Sequence, residues 1–273
     1  MMDKKIKYAY FDLDGTIVNK DWKISEENIK AIYYLKNKGI KIGIATGRSF
    51  FMTQYAINEL EPDLPTVAMN GGCIVNNDLQ VLDSNYIDYK DYLNTIDIFR
   101  KNNIHFMVYT LDGIYSTKAD IPFFEKMRQD VLNNRYKKTF KLVFEPNYDK
   151  LKRLNPIKIL IPFDNQEQKE FYISLINNFK NFEIVSSQHD LIDIFSNKTS
   201  KGKSINWIFK ATEKDLDELI VFGDNENDVS MFNITKNSVV LMNGSELAKQ
   251  SATYITEKPF DESGVADFIF KYL

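Results

Sequence analysis

Tyr8-Ala9-Tyr10-Phe11-Asp12-Leu13-Asp14-Gly15-Thr16 is the stretch that decides how this chain is read. A β-rich run ending in Asp-x-Asp-Gly-Thr presents one carboxylate and, two residues on, another, so both face one pocket before the glycine turns the backbone away. Such a pair suits phosphoryl transfer: one carboxylate attacks phosphorus and forms an acyl phosphate, and the other handles the leaving group's proton. Asp-Gly-Thr after an apolar run is also a common turn, so other segments decide the matter.

Residues 40–45 alternate apolar and small side chains like a second buried strand and stop at Thr46-Gly47-Arg48. A hydroxyl at a strand's end, followed by glycine, offers a side-chain donor and nearby N–H groups to phosphate oxygens, although Thr-Gly ends many ordinary strands too. The run 218–222 reads as a third buried strand, followed by Gly223-Asp224-Asn225-Glu226-Asn227-Asp228. Its three carboxylates and two amides resemble a hard-cation site, since magnesium prefers oxygen ligands; a solvated acidic loop is the alternative. Lys201, in Thr199-Ser200-Lys201-Gly202-Lys203-Ser204, stands just before a helix expected at about 204–210. A lysine there suits neutralisation of a transferring phosphoryl group. Lys203 competes for that role, and position relative to the glycine favours Lys201.

The chain between these segments gives the fold class. Ser25 is a plausible N-cap for a helix with Ile29, Ile32, Tyr33 and Leu35 on its apolar face, and Gly39 is placed to end it before the second strand. This β-α-β order implies a parallel pair with a right-handed crossover. The C-terminal part repeats the theme, with a helix after Lys201, a strand at 219, a helix from about 227 and a strand at 238–242. A short helix after Ser245, an extended 253–256 and a helix from 262 complete it. The expected core is therefore α/β, a doubly wound, mostly parallel, Rossmann-like sheet. Ligands in such sheets collect at the carboxyl ends of strands, which brings Asp12, Thr46 and Asp224 to one pocket.

Between 84 and 188 the pattern changes to α+β. Strands expected at 104–110 and 114–117 flank the hairpin signal Asp112-Gly113, followed by a helix near 121–132, strands at 141–145 and 158–162, a helix at 166–179 and a strand at 182–186. The expected division is 1–83 and 189–273 for the core and 84–188 for the other domain, with hinges near 82–86 and 186–190.

With 273 residues and 44% hydrophobic content the chain can build one large or two moderate domains, and a net charge of −3 argues against a general nucleic-acid binder. The single Cys73 forms no internal disulfide, and two histidines give no spacing for zinc. His105 is expected to be a packed or edge residue, and His189, near the second hinge, could face the site's opening. No run approaches the roughly twenty apolar residues of a membrane span, and the charged N-terminus carries no signal-peptide core. A cytoplasmic protein without membrane or nucleic-acid partners, a monomer or weak homodimer, is expected.

Taken in order, the motifs resemble the haloacid dehalogenase superfamily and, within it, the Cof-type phosphatases. The resemblance rests on Asp12-Leu13-Asp14-Gly15-Thr16, Ala45-Thr46-Gly47-Arg48, Asn70-Gly71-Gly72, Lys201-Gly202, Gly223-Asp224-Asn225-Glu226-Asn227-Asp228, Asn243-Gly244 and Ser263-Gly264-Val265-Ala266, nearly the whole chain. It departs in small ways, with Gly72 and Gly244 standing where alanine is usual. The resemblance implies Asp12 as nucleophile and Mg²⁺ ligand, and Asp14 as general acid and base, its backbone carbonyl also on the metal. It implies that Leu13 offers a backbone N–H to the phosphoryl oxygens, that Thr46, Gly47, Lys201 and Asn227 hold them, and that Asp224 completes the protein's share of the metal shell. Asp228 would orient Lys201 or a metal-bound water. The α+β insertion would be a cap domain that closes over the core and selects substrates. The implied function is Mg²⁺-dependent hydrolysis of small phosphorylated metabolites, sugar phosphates or phosphorylated cofactors, through an aspartyl phosphate. A phosphomutase is the nearest rival, and a non-catalytic phosphometabolite-binding protein is opposed by the intact Asp12 and Asp14 pair.

Overall fold

In the computed structural model, which describes residues 6–19, 21–120, 122–132, 140–188 and 190–273, the apolar run before Asp12 is strand β1 (Tyr8–Phe11). Helix α1 (Glu26–Asn37) follows, its first turn closed by Ser25 accepting from the Asn28 N–H and its acidic Glu26 and Glu27 set against the positive end of the helix dipole. Gly39, at φ 80°, ends it and hands the chain to β2 (Lys41–Ile44). Helix α2 (Gln54–Leu60) leads to β3 (Thr66–Ala68), β4 (Cys73–Val75) and β5 (Val81–Ser84), a small sheet in the order β3-β4-β5. The β3–β4 reversal uses Asn70-Gly71-Gly72, with Asn70 and Gly71 at φ 56° and 92°. Cys73 lies on β4, where burial pushes its thiol up to about 12.

Ser84–Thr199 forms a compact unit of its own. Helix α3 (Tyr89–Lys101) opens it and is followed by β6 (Met107–Tyr109), β7 (Gly113–Ser116), α4 (Pro122–Leu132), β8 (Lys141–Phe144) and α5 (Tyr148–Leu151). Then come β9 (Lys158–Pro162), α6 (Gln166–Ile176), β10 (Phe182–Gln188) and β11 (Leu191–Ser196). The six strands run β10-β11-β9-β6-β7-β8, all antiparallel except β7 with β8. Alternate residues of the central strands, Val108, Ile159, Ile161, Ile192 and Ile194, pack under Tyr92, Ile96 and Phe99 of α3 and Ile176 of α6. The other set includes a buried ion pair, Lys158 Nζ to Asp193 Oδ1 at 2.8 Å. The sequence reading ended this domain at 188; β11, which it did not foresee, pairs with both β9 and β10 and carries the unit on to Thr199.

Ser200–Leu273 belongs with Met1–Asp83. It supplies α7 (Lys201–Ala211), β12 (Leu219–Gly223), α8 (Val229–Phe232), β13 (Asn237–Val240), α9 (Glu246–Ser251), β14 (Tyr254–Ile255) and α10 (Gly264–Tyr272). The strand expected at 238–242 thus begins one residue earlier and ends two earlier. The main sheet is wholly parallel, in the order β14-β13-β12-β1-β2, with β1 paired to β12 on one side and β2 on the other. Tyr10, Val221 and Val240 face one layer with Ile205, Ile208 and Phe209 of α7. Phe11 stacks on Phe222 at 4.9 Å and Phe222 meets Phe268 of α10, on the opposite face. Helices on both faces make the sheet doubly wound, and its neighbouring strands β1 and β12 run out at Asp12 and Asp224. Among the described residues no helix is long and apolar enough to cross a membrane.

Candidate active site

Asp12 continues the β1 ladder by one residue, its N–H donating to Phe222 O at 2.9 Å, and then the chain turns sharply. The Leu13 carbonyl accepts from the N–H groups of Thr16, Ile17 and Val18 at 3.2, 3.0 and 2.8 Å, and Gly15 sits at φ 76°. A Cβ at Gly15 would lie 2.3 Å from Asp224 Oδ2, so glycine is what lets the acid at the end of β12 approach this loop. Thr16 Oγ1 stands between the two acids, 3.4 Å from Asp12 Oδ2 and 3.2 Å from Asp224 Oδ1.

Lys201 is the first residue of α7, not a residue ahead of the helix, because Ser200 is the cap and accepts from the Lys203 N–H at 3.2 Å. The Lys201 side chain is fully buried, and its Nζ donates to Asp12 Oδ1 and Asp228 Oδ1, both at 2.6 Å. Lys203 is exposed, whereas Lys201 reaches both acids. Asp228 is a clamp: its Oδ2 accepts from the backbone N–H groups of Asp224 and Asn225 at 2.8 and 2.9 Å, while its Oδ1 holds Lys201. The acidic loop after β12 is therefore tied to α7 and to the end of β1 through one ammonium.

Thr46 and Gly47 follow β2, with Thr46 buried and its N–H donating to Val67 O at 2.8 Å. Gly47 lies against an amide pair, in which Asn227 Nδ2 donates to Asn70 Oδ1 at 3.0 Å; a Cβ at Gly47 would come within 3.0 Å of that oxygen. Asn70 N–H in turn donates to Thr46 O at 3.0 Å. Asp14 is met by Arg48, with Nε donating to Oδ2 at 2.6 Å and Nη2 to Oδ1 at 2.5 Å. Thr16, Asn70 and Arg48 were quoted within motifs but given no part in the site. The signals were there: Thr16 follows the turn glycine, Asn70 precedes a Gly-Gly pair that marks a left-handed turn, and Arg48 stands beside Thr-Gly.

Burial is the main force on the acids. It raises Asp12 to about 7; Lys201 opposes the shift, and the charges of Asp228 and Asp14 add to it. Asp224 is raised well above its ordinary range by burial first and then by Asp12 and Asp228. Burial alone would lower Lys201, but Asp12 and Asp228 outweigh it and keep the ammonium charged. Oxygens of Asp12, Asp224 and Asp228 lie within 4.8 Å of one another, three buried or half-buried carboxylates against one lysine. That excess of negative charge fits a hard divalent cation, and since Asp228 is spent on Lys201 and two N–H groups, Asp12 and Asp224 are the donors left to hold it.

A profile of the haloacid dehalogenase-like hydrolases matches residues 9–269. The chain belongs to that family. Among the curated relatives is the Bacillus subtilis 5-amino-6-(5-phospho-D-ribitylamino)uracil phosphatase YwtE, 27% identical over 285 residues, with 98% of each chain covered. Solved structures with the same fold include a haloacid dehalogenase-like hydrolase from B. subtilis (TM-score 0.84, 22% identity, 98% of this chain and 100% of that one). Another is a HAD/COF-like hydrolase from Plasmodium vivax (TM-score 0.83, 25% identity, 98% and 96%), and a third a HAD subclass IIB sugar phosphatase (TM-score 0.81, 22% identity, 97% and 98%). His105, expected to be a packed or edge residue, is exposed on the second unit just ahead of β6, lining a cleft of about 200 Å³ with Lys118, Asp164 and Tyr172. His189 lies outside the described residues.

Proposed function

We propose that the protein is a Mg²⁺-dependent phosphatase that hydrolyses small phosphomonoesters through an aspartyl phosphate on Asp12. The observation that carries this reading is the buried network in which one lysine holds Asp12 and Asp228 while Thr16 brings Asp224 to Asp12. An anionic nucleophile must approach an anionic phosphoryl group, and the site supplies fixed positive charge at the point of approach. Lys201 orients Asp12 and offsets its charge. Asp12 and Asp224 would hold Mg²⁺, together with the Asp14 backbone carbonyl, and the bound ion would supply charge neutralisation at the transferring phosphoryl oxygens.

Asp12 attacks phosphorus, the bond to the ester oxygen breaks, and that oxygen takes its proton from the Asp14 carboxyl. Asp14 then accepts a proton from the water that attacks the aspartyl phosphate, which frees inorganic phosphate and restores Asp12. The Leu13 N–H, Thr46, Gly47 and Asn227 would hold the phosphoryl oxygens, and Asp228 would keep Lys201 in line. The phosphatase name of one relative and the sugar phosphatase among the structural neighbours support a phosphorylated polyol or sugar as substrate class. The Ser84–Thr199 unit is read as the cap that selects it, and the chain as a cytoplasmic monomer or weak homodimer.

The test is release of inorganic phosphate from p-nitrophenyl phosphate and from a panel of sugar phosphates, with Mg²⁺ and with chelator. Asp12→Asn is expected to abolish turnover while leaving the circular dichroism spectrum unchanged; a variant as active as the parent would overturn the assignment. Release without any bisphosphate activator separates hydrolysis from a mutase.

A further inference from the structure

Arg48 follows Thr46 and Gly47, the residues proposed to hold phosphate, and its fork is turned to the acid on the neighbouring loop. Nε and Nη2 meet the two oxygens of Asp14 in the side-on geometry that fixes a carboxylate in the guanidinium plane. The fork is itself held from other sides. Nη1 donates to the Tyr55 hydroxyl at 3.2 Å, the Trp22 ring lies 4.2 Å from the guanidinium carbon, and the Arg48 N–H donates to Thr46 Oγ1 at 3.1 Å. Trp22 reaches it from a backbone at φ 59°, a conformation that a bulky residue adopts only when its surroundings hold it there. The Arg48 side chain is 6% exposed and that of Asp14 32%, so a buried, braced cation carries a partly exposed acid.

We propose that Arg48 is the positioning residue for Asp14: its fork, backed by Trp22 and Tyr55, sets the direction in which the Asp14 carboxyl delivers a proton to the departing alkoxide. The proposal rests on the phosphatase reading and deepens it. Only the first half-reaction depends on the leaving group, because there the electron pair of the breaking P–O bond passes to the ester oxygen, which takes the Asp14 proton. An ester whose leaving group is a weak base departs without that proton. A misaimed Asp14 therefore harms alkyl esters far more than nitrophenyl esters.

Benzyl phosphate and p-nitrophenyl phosphate are of similar size and differ in this respect, and kcat/KM counts steps only through aspartyl phosphate formation. In Arg48→Met the ratio of kcat/KM for benzyl over nitrophenyl phosphate is expected to fall by on the order of 10²-fold. Arg48→Lys, which keeps the charge but makes one point contact, should fall between. In an Asp14→Asn background, Arg48→Met should not change the ratio further, since it acts through Asp14. Trp22→Leu, which removes the brace and leaves the fork, should lower the ratio severalfold and carries the test if Arg48→Met does not fold. Equal losses on both esters, or a second fall of the ratio in the Asp14→Asn background, would overturn the proposal. The phosphatase reading fails separately, by the parent releasing phosphate from neither ester.

Discussion

A methyl group at residue 15 would stand 2.3 Å from Asp224 Oδ2, on a backbone whose φ of 76° L side chains rarely adopt. Gly15→Ala is expected to cost about 1–2 kcal/mol from the backbone alone and to push the turn away from the acid it must approach. The Mg²⁺ concentration for half-maximal phosphate release should rise at least tenfold, as it does when groups that orient metal ligands are lost, and a metal titration checks it. Lys201→Met is a sharper change. It leaves Asp12 and Asp228 without the ammonium that both touch at 2.6 Å. Removing one partner of a buried charge set costs roughly 3–5 kcal/mol, so urea unfolding should show a large loss along with the loss of turnover. Asp12, Asp224 and Lys201 were legible because each closes an apolar run or stands beside a glycine; the bridge through Thr16 was not, since a hydroxyl after a turn glycine marks a place in the loop without saying which side chains it will meet.

At the scale of elements, the ion pair between β9 and β11 makes a test of the second unit alone. Lys158→Met takes the ammonium from a fully buried Asp193 and should destabilise that sheet by about 3–5 kcal/mol, whereas Lys158→Met with Asp193→Leu should recover most of it, measured by chemical denaturation. The strands β1, β2 and β12 and the capped helix α1 could be read from the chain because each carries its own signal, an apolar run closed by a motif or a cap. The three-residue strands β3 and β4 are too short to show alternation, and tertiary pairing makes them. Helix α3 carries a signal that the sequence analysis leaves unread, Tyr92, Ile96 and Phe99 on one buried face; β11 was not foreseen because residues 189–273 were assigned whole to the core, and its six residues are all buried and so lack the in-out alternation of a half-buried strand.

For the whole molecule, the raised acids set a pH dependence. A carboxyl held near 7 in the fold, as Asp12 is by burial, keeps a proton that the unfolded chain gives up near its ordinary value of 3.8. The stabilisation it gives is whole below that value and is lost as pH rises through 7, and Asp224 acts in the same sense. The metal-free thermal midpoint should fall over that interval, less so in Asp224→Asn. Mg²⁺ competes with those protons, so it should raise the midpoint by several degrees at pH 8 and hardly at pH 5; no shift at pH 8 would count against the site. The pairing of β1 with β12 has a temporal side as well. A ribosome adding about 5–20 residues per second leaves β1 waiting roughly 10–40 s for a partner some 211 residues downstream, one backbone edge bare in the interval. The newborn chain is thus a natural client for chaperones that shield unfinished sheets.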